Sequence, residues 1–247
     1  VTSTGGVGLN AESCMTFNGN SLTVGGLNSN AGSCSTIAGG FSNSIGSKAK
    51  SFIGAGACNS IQTNCSIIGA GLCNTIASGY ANYSTIVSGF RNDIIGYSYG
   101  GFIGAGSTND VYGRNSIVVG GALNCTNGYG CDFVGGGTNN KIAGYGGNVI
   151  VGGSNNCVKD NYGFAHFIGG GSRNHIDSAY GSANSILGGS CNCICNAGSS
   201  DTINQTTIVG GFKNTASVSS ANGYTACPTR GFIGGGECNR ITNPFDF

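Results

Sequence analysis

The chain has 247 residues, with 49 Gly, 13 Cys, two Pro, one Met, no Trp, and ten basic against nine acidic side chains. Glycine at about three times its usual share, without a Gly at every third position and with scarce Pro, excludes collagen, and so few charges exclude a coiled coil with charged flanks. The near-neutral balance lacks the basic face that nucleic acid requires, no apolar run approaches the ~20 residues of a membrane span, and Ile, Val and Phe recurring at fixed places argue against disorder.

The chain begins at Val1 with neither Met nor a signal sequence, which reads as a processed product, a fragment or a trimmed start. Residues 1–30 read as degenerate first coils: "LTVGGLNSNAG" is a degraded copy of a phrase that recurs from there on, and another stands near "GGVGLN". Residues 31–247 form the repeat domain. Each unit is anchored on an aliphatic residue: Ile37, Ile53, Ile68, Ile86, Ile103, Val118, Val134, Ile150, Ile168, Ile186, Ile208 and Ile233. Three residues on stands Gly in all twelve units, from Gly40 to Gly236. Six residues on stands Asn, again in all twelve: Asn43, Asn59, Asn74, Asn92, Asn109, Asn124, Asn140, Asn156, Asn174, Asn192, Asn214 and Asn239. Eight residues on stands Ile or Val, except at Thr126 and Ala216. Anchor spacing runs 16, 15, 18, 17, 15, 16, 16, 18, 18, 22 and 25, so a constant stretch alternates with a tolerant loop, and the loops lengthen after residue 194.

A helix is disfavoured, because each of these glycines would cost ~1 kcal/mol there. Short apolar pairs bounded by Gly and Asn read as strands and turns. A period near 15 is too short for a propeller blade or a leucine-rich repeat. The pattern predicts an all-β parallel β-solenoid (a β-roll or β-helix) of about 12–14 short coils. In it the anchor and the residue eight later point inward from opposite walls, the Gly makes a corner, and the Asn residues stack as a ladder of amides. Asp, Gly and Ser never replace that Asn, which favours a ladder over a simple turn-former.

At these residues the sequence resembles the Gly-Gly-Gly-x-x-Asn-x-Ile arrays of tail-fibre and structural proteins of marine phages and large algal viruses. It is also similar to the head repeats of trimeric autotransporter adhesins, which form parallel β-rolls. Residues 37–241 carry the resemblance. It implies a structural fibre protein and a homotrimer; unlike the adhesin heads, the units here drift to 25 residues, and no stalk heptads follow.

No catalytic constellation is predicted. The nine acidic residues are spread without a close pair, and no nucleophile–base motif appears. His166 and His175 read as surface residues. Cys191, Cys193 and Cys195 alternate, yet nothing in sequence supplies a compact four-ligand metal set, so neither metal nor cofactor is expected. Cys58 and Cys73 hold the same offset in neighbouring units; stacked positions lie ~4.8 Å apart, within reach of a disulfide, so the pair is expected to be bonded or in contact. Sequons stand at Asn64, Asn82, Asn124 and Asn204, of which Asn204 lies in a long segment. Tyr224 and Arg230, with Asn204, are the candidate binding residues, on segments 195–207 and 216–230 that a coil does not need.

The residue before each anchor should face outward, and it is Phe, Ile or Val in eight of twelve units. Such a stripe marks an interface, most simply with another copy. The function expected is a non-enzymatic structural β-solenoid of an extracellular or virion-surface fibre. It presents loops for attachment to a cell-surface receptor or glycan, with no nucleic-acid partner and no membrane insertion. The alternative is a secreted filament subunit that stacks end to end through uncovered strand edges. An ice-binding solenoid is a distant third, because the outward row is too mixed and too apolar for a regular Thr array.

Overall fold

The computed structural model describes residues 15–18, 20–77, 80–178, 180–196, 203–218 and 230–242. It is all-β, with no helix among the described residues, and its coils stack as a parallel β-solenoid. The chain divides into two compact units, Val1–Thr108 and Asn109–Phe247. Tyr224 lies outside the described residues, as does most of segment 216–230.

In the first unit the anchor strands Leu22–Val24, Thr36–Ile37, Phe52–Ile53, Ile67–Ile68, Thr85–Ile86 and Phe102–Ile103 pair in parallel, coil on coil. The opposite wall stacks Ser29–Asn30, Ser44–Ile45, Ser60–Ile61, Thr75–Ile76 and Asp93–Ile94. Single bridges from Gly26 through Phe41, Ala57, Leu72 and Phe90 to Ser107 make a third line. Residues 22–30 therefore already form a stacked coil, shortened by one residue, in which Thr23 sits in register with Ile37. Before it, Met15–Phe17 runs antiparallel along Leu22–Val24.

The second unit repeats the plan. Ile117–Val118, Phe133–Val134, Val149–Ile150, Phe167–Ile168, Ser185–Ile186, Thr207–Ile208 and Phe232–Ile233 form one wall. Strands from Asp110–Val111 to Arg240–Ile241 form the other. Here the second wall widens to four residues at Cys157–Asp160, His175–Ser178, Cys193–Asn196 and Thr215–Val218.

The anchors and their partners eight residues on fill the interior; Ile37, Ile53, Ile68 and Ile76 are fully buried, and so is Thr126 in the place of an Ile. The corner glycines are obligatory for two reasons. Gly56 has φ 97°, and a Cβ there would stand 2.0 Å from the carbonyl oxygen of Gly71 in the next coil. The residue just before each ladder Asn is also left-handed although it is not glycine, as at Cys58 (φ 56°), Cys73 (φ 58°) and Arg173 (φ 55°). That conformation turns its N–H backward: Cys58 donates to Phe41 in the preceding coil, whereas Ser60 donates forward to Asn74 O.

The ladder asparagines bond in two directions. Asn59 receives, on Oδ1, the N–H of Asn74 (3.0 Å) and its Nδ2 (3.1 Å), while its own Nδ2 donates to Ala55 O (3.2 Å) and Gly71 O (2.9 Å). The scheme recurs at Asn124, Asn156 and Asn192, begins at Asn28, and ends at Asn239, which is exposed. A buried side chain that must both accept and donate twice has to be a short amide; Asp lacks the donors and Ser lacks the reach.

Candidate functional site

A second column of buried side chains runs two residues before each anchor. In the first unit it is Ser35, Ser51, Ser66 and Ser84, each hydroxyl oxygen accepting the N–H one coil on (3.1 to 3.4 Å). In the second unit the same slot holds Ser116, Asp132, Asn148, His166, Asn184 and Thr206. The bonding is unchanged: Asp132 N–H to Ser116 Oγ (3.2 Å), Asn148 N–H to Asp132 Oδ1 (3.1 Å), His166 N–H to Asn148 Oδ1 (3.0 Å), Asn184 N–H to His166 Nδ1 (3.3 Å) and Thr206 N–H to Asn184 Oδ1 (3.1 Å). The column therefore needs only an acceptor, and ionisable groups enter it.

Asp160, at the end of Cys157–Asp160, reaches this column from the other wall. Its Oδ1 accepts Tyr145 N–H (3.0 Å), and its Oδ2 lies 3.5 Å from Asn148 Nδ2 and 3.7 Å from His166 Nε2. Asn148 thus touches both Asp132 and Asp160, two carboxyls that hold different offsets in the repeat. Asp132 and Asp160 stand apart in sequence, at different offsets, and the closing of the coil brings them to either side of Asn148. The expectation of surface histidines fails for His166, which is 1% exposed.

Burial pushes the Asp132 carboxyl up to about 7, against the opposing pull of hydrogen bonds from Asn148. Burial likewise raises Asp160 to about 6, again against hydrogen bonds, and lowers His166 to about 4. Asp132 Oδ2 and His166 Nε2 have no hydrogen-bond partner. Small residues make room for the carboxyls: a Cβ on Gly128 or on Gly144 would stand 2.2 Å from an Asp132 or an Asp160 oxygen, respectively.

Above Asp160 lies an open cleft of about 350 Å³, lined by Tyr129, Tyr145, Tyr162, Asn127 and Asn161 among others. Tyr129, Tyr145, Tyr162 and Tyr180 stack coil on coil with ring centroids 4.5, 5.4 and 5.2 Å apart. Their faces cover one another, so the stack presents ring edges and hydroxyls to solvent. Chemically, the cleft offers the buried Asp160 carboxyl beneath a polar aromatic rim.

Of the binding candidates, the structure joins Asn204 and Arg230. Arg230 N–H donates to Asn204 O (3.1 Å), and Arg230 Nε to Gln205 Oε1 (3.4 Å). Asn204 Oδ1 is engaged by Ser182 N–H (2.7 Å), so this side chain helps to hold coils together. Cys58 and Cys73 occupy equivalent corners of neighbouring coils, and both thiols are free. Among the described residues a disulfide joins Cys193 to Cys195. Among the described residues no group of three or more His, Cys, Asp or Glu side chains stands ready to hold a metal ion, and no helix is long and apolar enough to cross a membrane.

Sequence reasoning missed the second column, Asp160 and the tyrosine stack. The column did leave a signal, a run of Ser two residues before the anchor in early units that changes to Asp, Asn and His later. Compared with known proteins, the chain matches no family model and no curated sequence.

Proposed function

We propose that this β-solenoid is a non-enzymatic structural protein of an extracellular or virion-surface fibre, a stiff element that presents loops for attachment or assembly. The observation that supports it most is the bonding within each unit. Strand pairing on two walls, a bridge line and two buried side-chain columns all repeat coil after coil, so nearly every polar group in the interior serves stacking. The virion or extracellular setting rests on the resemblance of the repeat to tail-fibre arrays. The outward row is available for a partner: Phe52, Ile67, Phe167 and Phe232 are exposed, and another copy of the chain, as in a homotrimer, is the simplest occupant. A receptor or glycan would meet segments 195–207 and 216–230.

The filament reading has one observation for it and one against. Phe232–Ile233 and Arg240–Ile241 are the last described strands of their walls, and the filament reading needs their outer edges to pair with another chain. At the first unit's start, Met15–Phe17 covers the Leu22–Val24 edge with a strand of the wrong direction for continuing a parallel stack. Negative-stain imaging at two concentrations tests both. Particles of fixed length at both concentrations support the fibre element, and threads that lengthen with concentration support the filament. Shortening 195–207 and 216–230 to the ordinary unit length should leave folding intact and abolish attachment or assembly; unchanged attachment refutes the role of the loops.

A further inference from the structure

On the outer face of the widened wall, four potential metal donors occupy two registered pairs. His175 stands opposite Cys193, and Asp177 opposite Cys195. They alternate with buried Ile176 and Ile194, so all four side chains leave the sheet on the same side. Neighbouring strands lie ~4.8 Å apart, and the Cα atoms of Cys193 and Cys195 are 5.8 Å apart. Within each strand the donors already converge: the two sulfurs are bonded to each other, and His175 Nε2 lies 3.9 Å from Asp177 Oδ2. His175 Nε2 is shielded from solvent and has no hydrogen-bond partner, while the His175 side chain as a whole is 40% exposed.

We propose that Cys193, Cys195, His175 and Asp177 form a site for one thiophilic divalent cation, Zn²⁺ by its ligand chemistry, that opens when the Cys193–Cys195 bond is reduced. Two thiolates, an imidazole and a carboxylate are a donor set that tetrahedral Zn²⁺ accepts. With the sulfurs joined, neither is a thiolate and two donors remain. Reduction by a phosphine balances as follows. The phosphine attacks one sulfur, and water supplies the oxygen of the phosphine oxide and the two protons of the new thiols. The cation then displaces those protons as the thiols ionise. Lys159, whose Nζ lies 3.5 Å from Asp177 Oδ2, gives up that pairing when the carboxylate turns to the metal. On the far side, Thr215 and Ser217 are neutral.

The test uses the full chain, reduced with a phosphine and then freed of it, and titrated with Co²⁺ alone as the spectroscopic stand-in for Zn²⁺. The reduced protein should bind one Co²⁺ with a thiolate-to-cobalt charge-transfer band and the visible bands of a tetrahedral site, and Zn²⁺ should bleach them. The oxidised protein should show neither band. C193S/C195S should abolish the signal. H175A and D177N, which keep both thiols, should each weaken binding by about 10–100-fold or more, the range already seen for losing an orienting partner of a ligand. C157S and C58S/C73S should leave it unchanged, which separates this site from other thiols; Cys157 matters most, since it pairs with His175 from the opposite side. Equal binding by oxidised protein, a retained signal in C193S/C195S, or unchanged affinity in both H175A and D177N would overturn the proposal.

Discussion

The amide ladder makes a sharp prediction at Asn59. Replacing it with Ala removes an acceptor and a donor from a fully buried place. Asn43 Oδ1 and Asn74 Nδ2 each lose one bond and keep others, whereas the N–H of Asn74 (3.0 Å) is left unmet in the interior and Ala55 O (3.2 Å), on an exposed residue, can turn to water. Gly71 O keeps its bond from Ala57 N–H. A buried polar group left unmet costs ~1–3 kcal/mol, so Asn59→Ala should destabilise the first unit by about that amount. At about 4 °C per kcal/mol for a domain near 100 residues, the melting temperature should fall by roughly 4–12 °C. Asn59→Asp separates bonding from packing, because it keeps the shape and replaces Nδ2 with an oxygen aimed at two carbonyls. It should cost at least as much at neutral pH and recover in part in acid, where a protonated carboxyl can donate once. Thermal melts followed by circular dichroism, with amide exchange at residue 74, measure both variants, and exposed Gln62→Ala is the control. A fall of only a degree or two for Asn59→Ala, or Asn59→Asp as stable as wild type at neutral pH, would refute the ladder argument.

Four further outcomes follow, three from the interior and one from a corner. Asp132 and Asp160 have folded pKa values of about 7 and about 6, above the unfolded value near 3.8; a raised carboxyl stabilises the fold below the unfolded pKa and loses that contribution as pH rises through the folded one. Between about pH 4 and pH 7 these two residues should therefore erode the second unit's stability, and Asp132→Asn should remove much of that slope and melt higher than wild type at pH 8. His166, lowered to about 4, works in the other sense: it costs stability as pH falls from about 6.5 toward 4, so His166→Gln should flatten the acid side of the same melting curve. Ile68→Ala empties a fully buried anchor and should cost about 2–5 kcal/mol, read by urea unfolding, against little change for Ile67→Ala on the outer face. At the left-handed corner of Cys58, a β-branched residue is strained and Gly is not, so Cys58→Val should lower the melting temperature and Cys58→Gly should leave it near wild type.

The repeat alone predicts the coil, its inward faces, its corners and its ladder, because each depends on a position that tolerates one kind of residue. A left-handed glycine whose Cβ would strike the next coil, as at Gly56, admits no substitute. The interior of a narrow coil admits only aliphatic or small residues at the anchor and eight places on, so Thr126 and Ala216 enter without loss of register. The non-glycine left-handed corners leave no such trace. Ser, Cys, Arg, Thr, Leu, Asn and Lys all occupy the place before the ladder Asn. There the backbone bond to the preceding coil fixes the conformation, and the side chain points to solvent.

The two buried columns show most directly why one part of the interior is legible and another is not. The ladder position must accept from the next coil and donate to two carbonyls, and asparagine alone among short side chains does both. The other column must only accept one N–H from the next coil, and serine, aspartate, asparagine, histidine and threonine can all do that. A single demand lets the sequence drift while the geometry stays, so nothing in a repeat count marks the slot. The same freedom gathers Asp132, Asn148 and His166 in successive coils, within reach of Asp160 from the opposite wall. A slot that constrains bonding but not charge is where ionisable groups can collect inside a solenoid, and in the second unit they adjoin Asp160, which lines the tyrosine-rimmed cleft. The pH dependence predicted for Asp132 and His166 is thus a direct consequence of how little that column asks of its side chains.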